Sequence, residues 1–123
     1  MLDTCKICGQ DTQCEVHHVV FRSQSKCMQT IKTNLIPLCV ECHRGNTGAH
    51  LNKKTDLRLK KNLQFHLEVI FIAKEYFDKE EIKEILECNE NEVMAILKKL
   101  YVHVEGYRKD DLIIRLLGGR KYI

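Results

Sequence analysis

The sequence predicts an α+β fold, in which a strand–loop–strand–helix module fastened by four cysteines precedes a helical region. Two Cys-x-x-Cys pairs, Cys5–Cys8 and Cys39–Cys42, bracket the module. Short β-branched stretches lie between the pairs, and leucines that recur every four residues follow them. The predicted division is 1–55 for the module, 56–77 for a connecting helix and 78–123 for a helical C-terminal appendage.

The composition is typical of a protein in a reducing compartment. The 123 residues suit one domain, or a small domain with an appendage. The 7 cysteines are an odd number, which together with the two pairs favours metal binding over disulfides. The first residues lack the character of a signal peptide, and the longest apolar stretch, near 69–73, is too short to span a bilayer. We therefore expect a cytoplasmic protein without membrane association.

Positive charge is concentrated in the first half of the chain. Residues 1–62 contain 10 Lys and Arg against 5 Asp and Glu, whereas residues 63–123 contain 10 against 12. Cationic side chains favour polyanionic partners because neutralised phosphates release counterions. The charge distribution therefore suits DNA as a partner of the N-terminal module.

The two cysteine pairs predict a structural zinc site. Gly9 allows a tight turn after the first pair, so that both thiolates can face one point. Four thiolates form a closed tetrahedral site with no open position for catalysis. The alternative is four unrelated buried cysteines. The remaining cysteines lack such partners and are expected to be small buried residues: Cys14, Cys27 and Cys88.

The segment between the pairs predicts two strands and a loop. Residues 14–21 are short and β-branched, and residues 35–38 suit a second strand, with Pro37 indicating a sheet edge. Residues 22–33 between them are polar and predict a loop that can lie along a phosphate backbone. A short helix should start after the second strand and end at the glycine-rich stretch 45–48.

Four histidines and one asparagine are candidates for a second metal site that carries out chemistry. His17 and His18 point to opposite sides of a strand, so we assign His17 to a metal and His18 to a general base. His43 on the following helix is a second ligand, and His50 beyond the glycine-rich turn is a candidate third. Asn34 has donors and an acceptor with which it can pin the loop and hold His18. It could equally cap the turn before the second strand.

This combination resembles the HNH endonucleases of the ββα-metal superfamily. Residues 15–18 with Asn34 and His43 carry the motif, and the double histidine is similar to that of the colicin nucleases. The cysteine pairs resemble the zinc-bearing branch of the family. Residues 42–50, followed by 56–60, are similar to small HNH proteins of bacteriophages. His50 lies farther from His43 than the third ligand of the colicin-like members.

The resemblance implies a metal-dependent DNA endonuclease. His18 would deprotonate a water that attacks phosphorus, and a divalent metal on His17 and His43 would stabilise the charge, leaving 5′-phosphate and 3′-hydroxyl ends. Many members have Asp where this chain has His17, which shifts the preference towards Mn²⁺, Ni²⁺ or Zn²⁺ without excluding Mg²⁺. Candidate DNA-binding cations are Arg22, Lys26 and Arg44.

Two other functions remain open at this stage. One is a non-catalytic zinc-knuckle protein that binds DNA or acts as an adaptor. The other is a nuclease subunit that is active mainly inside a phage DNA-packaging complex. The resemblance to phage proteins would place the chain inside a bacterial host cell.

The second half of the chain predicts helices. Residues 57–76 have helical periodicity and are apolar nearly all round at their end, so that this helix should pack against two neighbours. Possible capping boxes at Asp78/Glu81 and Asn89/Glu92 predict helices over 79–87 and 90–101. An extended stretch over 101–107, with a turn at Gly106, and a final helix over 110–117 should follow.

The two capped helices resemble a helix-turn-helix. Glu90 and Glu92 lie at the end that would approach the bases, and Lys98 and Lys99 come too late to contact them. The charges therefore favour a helical cap on the nuclease module, or a surface for a protein partner, over a DNA-reading role.

Overall fold

A computed structural model describes residues 2–123. The first three strands of the chain form an antiparallel sheet. The strands β1 (Leu2–Thr4) and β2 (Asp11–His18) pair with each other, and β3 (Leu35–Cys39) pairs with the other side of β2. The short helix α1 (Val40–Arg44) follows β3 directly. The strand–loop–strand–helix order is therefore confirmed, and β1 is an element that the sequence analysis did not predict.

The strand β2 begins and ends three residues before the predicted bounds of 14–21. It ends early because the backbone amides of Val19 and Val20 leave the ladder and donate to Asn34, to its carbonyl oxygen at 2.9 Å and its Oδ1 at 2.7 Å. Pro37 lies opposite Val16 on β3, which is the edge strand of the sheet order β1-β2-β3. An edge strand tolerates a residue without an N–H, and the edge position agrees with the sequence prediction.

The connecting helix α2 covers Lys53–Ile70, whereas the predicted helix covered 57–76. It begins earlier because the Asn52 side chain accepts the Thr55 backbone N–H at 3.1 Å, an N-cap that the sequence analysis did not use. It ends earlier because the chain must extend to form the strand β4 (Tyr76–Phe77). The division into 1–55, 56–77 and 78–123 remains a prediction.

The C-terminal region combines three helices with a second small sheet. The helices α3 (Lys79–Leu86) and α4 (Glu90–Leu97) precede the strands β5 (Val102–His103) and β6 (Gly106–Arg108), and α5 is Lys109–Leu116. The sheet order is β4-β6-β5, and all pairs are antiparallel.

The turn that was predicted at Gly106 lies before it, between β5 and β6. Gly106 itself begins β6 and has a different role. Its φ is +126°, and a Cβ at this position would lie 2.7 Å from the carbonyl oxygen of Phe77. A glycine is needed here because β4 and β6 approach closely.

One hydrophobic core joins the two halves of the chain, and α2 contributes to it along its length. Leu59 and Leu63 lie beside Val19 of the N-terminal half, and Phe71 makes an edge-to-face contact with Phe77, with ring centroids 5.2 Å apart. The predicted α+β class, with helices and two small sheets, is confirmed. Within residues 2–123, none of the helices has both the length and the apolar character needed to cross a membrane.

Both predicted capping boxes are formed, and they make part of the stability depend on pH. The pKa of Glu81 is lowered by the backbone N–H of Asp78 and by Lys74, so its carboxylate stabilises the fold fully above the unfolded pKa of about 4.3. This stability is lost as the pH falls through the lower folded pKa. We expect Glu81→Gln, which keeps a capping acceptor but does not titrate, to lose less thermal stability than wild type between pH 6 and 3.

Thermal melts followed by circular dichroism across this range test the expectation. Glu68→Gln is the matched control, because Glu68 is an exposed carboxylate of α2. Parallel melting curves for Glu81→Gln and wild type at every pH would contradict it.

Candidate metal centres and active site

Four thiols from two turns converge at one end of the first sheet. Cys5 and Cys8 lie on the turn after β1, where Gly9 takes a left-handed conformation with φ +76°. Cys39 ends β3, and Cys42 lies in α1. The four Sγ atoms lie within 4.8 Å of one another. The cluster could hold a metal such as zinc, and it fits a zinc-clamped domain.

The protonation chemistry of this four-thiol cluster also suits a cation. Burial raises the pKa of Cys5, but backbone N–H groups of Cys39, Cys8 and Ile7 outweigh it and lower the pKa to about 6. Burial raises the pKa of Cys42 strongly, and hydrogen bonds among the thiols add to this effect. The first thiolate therefore forms readily, whereas further ionisation of the cluster needs a positive ion.

The other three cysteines lie outside this cluster. The Cys14 thiol is buried and donates to the carbonyl oxygen of Asp3 at 3.5 Å, and burial raises its pKa. The Cys27 sulfur lies 3.2 Å from the Ser25 hydroxyl, and burial raises the pKa of Cys88. The expected burial therefore holds for Cys14, whereas Cys27 and Cys88 are only half-buried.

Three histidines from three parts of the chain form a second cluster. His17 lies on β2, His43 on α1, and His50 on the turn between α1 and α2. One ring nitrogen of each lies within 4.8 Å of the others, and the Nε2 atoms of His43 and His50 are 2.9 Å apart. The cluster brings together the three candidate metal ligands of the sequence analysis.

The ring nitrogens of His17 provide a test of whether this cluster fits a metal. His17 is 1% exposed, and neither its Nδ1 nor its Nε2 has a hydrogen-bond partner within residues 2–123. Burial and the nearby imidazoles lower its pKa to about 3, so that the ring is neutral near pH 7. An unpartnered neutral imidazole facing two others is a suitable donor set for a borderline divalent ion.

Glu15 orients His43 within the cluster. The ionised Glu15 carboxylate can only accept, so His43 Nδ1–H donates to its Oε1 at 2.9 Å and leaves Nε2 as the lone-pair atom that faces His50. Arg44 donates to the other oxygen at 2.6 Å. The hydrogen bond from His43 and the Arg44 charge lower the pKa of Glu15. This arrangement fixes the tautomer, as carboxylates do behind metal-binding histidines.

Glu15 received no role in the sequence analysis, although its spacing contained a usable signal. Side chains two residues apart on a strand share a face, so Glu15 had to lie on the same side as His17. We expect Glu15→Gln to weaken metal binding at the histidine cluster by about 10- to 100-fold, because the ligand loses its charged partner. Titration with Mn²⁺ or Co²⁺ of zinc-loaded protein measures the change.

One matched variant serves as the control for that titration. Glu41→Gln removes an exposed carboxylate from the same helix as His43 and should leave the affinity unchanged. Equal affinities for Glu15→Gln and wild type would show that the carboxylate does not act through His43.

His18 lines a cavity of about 320 Å³ together with His43 and His50. Its Nε2 lies 3.0 Å from the carbonyl oxygen of Gln29, which can only accept a hydrogen bond. Nε2 therefore carries the proton, and the lone pair of a neutral ring is on Nδ1. Arg22 lines the same cavity.

Asn34 is buried and holds the loop between β2 and β3 from inside. Its Oδ1 accepts the Val20 N–H, and its Nδ2 donates to the carbonyl oxygens of Val20 at 3.0 Å and Met28 at 3.1 Å. All three partners are backbone groups, and Met28 directly precedes the residue that binds His18. The geometry therefore suits a residue that shapes the loop.

The three candidate DNA-binding cations lie in different settings. Arg22 lines the histidine cavity, Lys26 is exposed at the start of a 3-10 turn (Lys26–Met28), and Arg44 is 66% exposed while paired with Glu15. Of the three, Arg22 has the position best suited to a phosphate at the cavity.

Phe21 and Lys60 border the histidine cluster and were not identified from the sequence. The Phe21 ring stacks on His50, with centroids 5.4 Å apart, and the Lys60 Nζ lies 4.1 Å from the Phe21 centroid. Lys60 is buried and paired with Asp56 at 2.7 Å. Lys60 lies on the buried face of α2 with Leu59 and Leu63. A lysine beside these periodic leucines was the feature of the sequence that could have identified it.

The fold and the four-thiol cluster define a small mixed helix-and-sheet domain with a site fit for structural zinc. Residues 5–48 match the family model described as HNH endonuclease, so this part of the chain is an HNH endonuclease domain, and its four clustered thiols fit a zinc-clamped one. Searches of curated proteins and of solved structures gave no match. The matched family supports a nuclease-type function in general.

Proposed function

We propose that the protein is a metal-dependent DNA endonuclease that uses His18 as its general base. The observation that carries the proposal is the convergence of His17, His43 and His50 beside a cavity that His18 also lines. The general base and the metal ligands are thus separate histidines, which lets one imidazole remain free to take a proton.

The residues of the cavity can perform the proton transfer that hydrolysis requires. Gln29 holds the Nε2–H of His18, so that Nδ1 is the atom that takes a proton from the attacking water. Arg22 lines the same cavity and would bind a phosphate oxygen and orient the scissile group. The new bond forms between water and phosphorus, and the bond to the 3′ oxygen breaks, leaving 5′-phosphate and 3′-hydroxyl ends.

The three imidazoles would hold the divalent ion. His17, His43 and His50 supply neutral nitrogen donors, which suit Mn²⁺, Ni²⁺ or Zn²⁺ better than Mg²⁺. A bound ion supplies positive charge that stabilises the phosphate and the departing oxygen. Glu15 and Arg44 fix the ring of His43 before the catalytic ion binds.

Supercoiled plasmid tests the proposal. With zinc-loaded protein and Mn²⁺, we expect nicked or linear DNA whose 5′ ends accept label from a polynucleotide kinase only after phosphatase treatment. EDTA should stop the reaction. His43→Gln should reduce cleavage strongly, whereas His66→Gln, which replaces an exposed histidine of α2, should not.

The same assay distinguishes the alternatives. Binding of DNA without cleavage in the presence of Mn²⁺, Mg²⁺, Ni²⁺ or Zn²⁺ would contradict the proposal and favour a zinc-knuckle DNA-binding or adaptor protein. Cleavage that becomes efficient only with a partner would favour the narrower proposal of a subunit in a phage DNA-packaging complex.

A further inference from the structure

We propose that α4 of the C-terminal region positions the general base, through a hydrogen bond between Thr30 and Glu92. The inference rests on the proposed function of His18. It assigns Thr30 and Glu92 as positioning residues and gives the C-terminal region a role in the active site.

Thr30 lies in the loop that precedes β3, next to the residue that bonds His18. The Gln29 carbonyl oxygen accepts from His18 Nε2, so its location sets the ring angle of the base. Asn34 fixes the preceding residue, Met28, from the buried side of the loop. Thr30 directly follows Gln29 and is exposed, and the Asn34 side chain bonds Val20 and Met28 rather than Thr30.

The second link is the carboxylate of Glu92 on the first turn of α4. Its Oε1 accepts the backbone N–H of Asn89 at 2.9 Å and completes the capping box. Its Oε2 accepts the hydroxyl of Thr30. One oxygen therefore holds the helix start and the other holds the loop. Because the capping box fixes the carboxylate, it offers Thr30 a preorganised acceptor.

This contact also decides between two roles of the helix pair α3–α4. A helix-turn-helix would present the first turn of α4 to the major groove. In this protein, Glu92 on that turn is engaged with the nuclease loop, and the neighbouring Glu90 is paired with Lys79 and Lys83. The start of α4 is thus part of an intramolecular interface, which favours the helical cap over the DNA reader.

Variants at two threonines of the same loop test the proposal. Thr30→Val keeps the side-chain shape but removes the hydroxyl, and we expect kcat to fall about tenfold while KM for DNA is unchanged, because the misplaced base affects only the chemical step. Thr30→Ser should restore the rate. Thr33→Val is the matched control, since the Thr33 hydroxyl has no partner within the described chain.

A second pair of variants tests the same link from α4. Glu92→Ala should reproduce the loss of kcat, whereas Glu90→Ala should not, because the Glu90 carboxylate pairs with Lys79 and Lys83 of α3. Thermal melts of all variants identify any that are simply unstable.

A spectroscopic readout separates this proposal from the proposed function. In ¹⁵N-labelled, zinc-loaded protein without a catalytic metal, the Nε2–H signal of His18 should be sharp and should broaden in Thr30→Val. An unchanged signal and rate in Thr30→Val would overturn the proposal, as would a raised KM with unchanged kcat or an equal loss in Thr33→Val. A wild-type protein that cuts no DNA contradicts the nuclease function instead, and the ¹⁵N signal still tests the contact.

Discussion

His18→Ala protein is expected to fold, keep its zinc and cut DNA about 10²- to 10⁴-fold more slowly than wild type, the usual contribution of a general base. The loss follows from the protonation of the ring, since the Gln29 carbonyl oxygen holds Nε2–H and leaves Nδ1 to take the proton. Single-turnover cleavage of a short duplex in Mn²⁺ measures the rate constant without interference from product release.

The interpretation of this rate needs two controls. His103→Ala removes a histidine of β5 and should cut at the wild-type rate. Mn²⁺ titration of His18→Ala should give the wild-type affinity, because His18 lies outside the ligand cluster of His17, His43 and His50. Cleavage by His18→Ala at the wild-type rate would remove His18 from the mechanism.

Cys39→Ser protein is expected to lose its zinc and to unfold over the N-terminal domain at 25 °C. Structural zinc sites contribute on the order of 10 kcal/mol, comparable to the total stability of a small domain of about 5–15 kcal/mol. Cys39 both ends β3 and belongs to the four-thiol cluster, so its loss removes a metal ligand at a sheet terminus. Circular dichroism and zinc content by native mass spectrometry measure the two effects.

A second cysteine provides the matched comparison for Cys39→Ser. Cys27→Ser changes a thiol outside the cluster and should alter the free energy of unfolding by no more than about 1 kcal/mol. A strong chelator should unfold wild type to the same extent as Cys39→Ser. Cooperative melting of Cys39→Ser within a few degrees of wild type would mean that zinc does not hold the fold.

Elements specified by neighbouring residues were predictable from the sequence. The capping boxes at Asp78 and Asn89 lie within four residues of sequence, and both are formed. Each Cys-x-x-Cys pair likewise encodes a turn and two ligands, so the four-thiol cluster could be predicted from the spacing within the pairs. The histidines required the family resemblance, because their separation along the chain did not by itself bring them together.

Features that depend on contacts between distant segments were not predicted. Glu15 bonds His43, which lies 28 positions further along the chain, and Lys60 of α2 lies over the ring of Phe21. Periodicity identifies the face on which such a side chain lies but does not identify what packs against that face. The C-terminal end of α2 was misplaced for the same reason, since β4 and β6 pair only after the chain has folded.

The helix α1 has a consequence for the order in which the two ions bind. Cys42 belongs to the thiol cluster and His43 to the imidazole cluster, and adjacent Cα atoms are about 3.8 Å apart. Without zinc, the five-residue helix is far too short to persist by itself, and His43 has no defined direction. We therefore expect the two ions to bind in order, zinc at the four thiols first and the divalent ion at the three imidazoles second. Oxidation of the thiols would then abolish nuclease activity without altering a catalytic group.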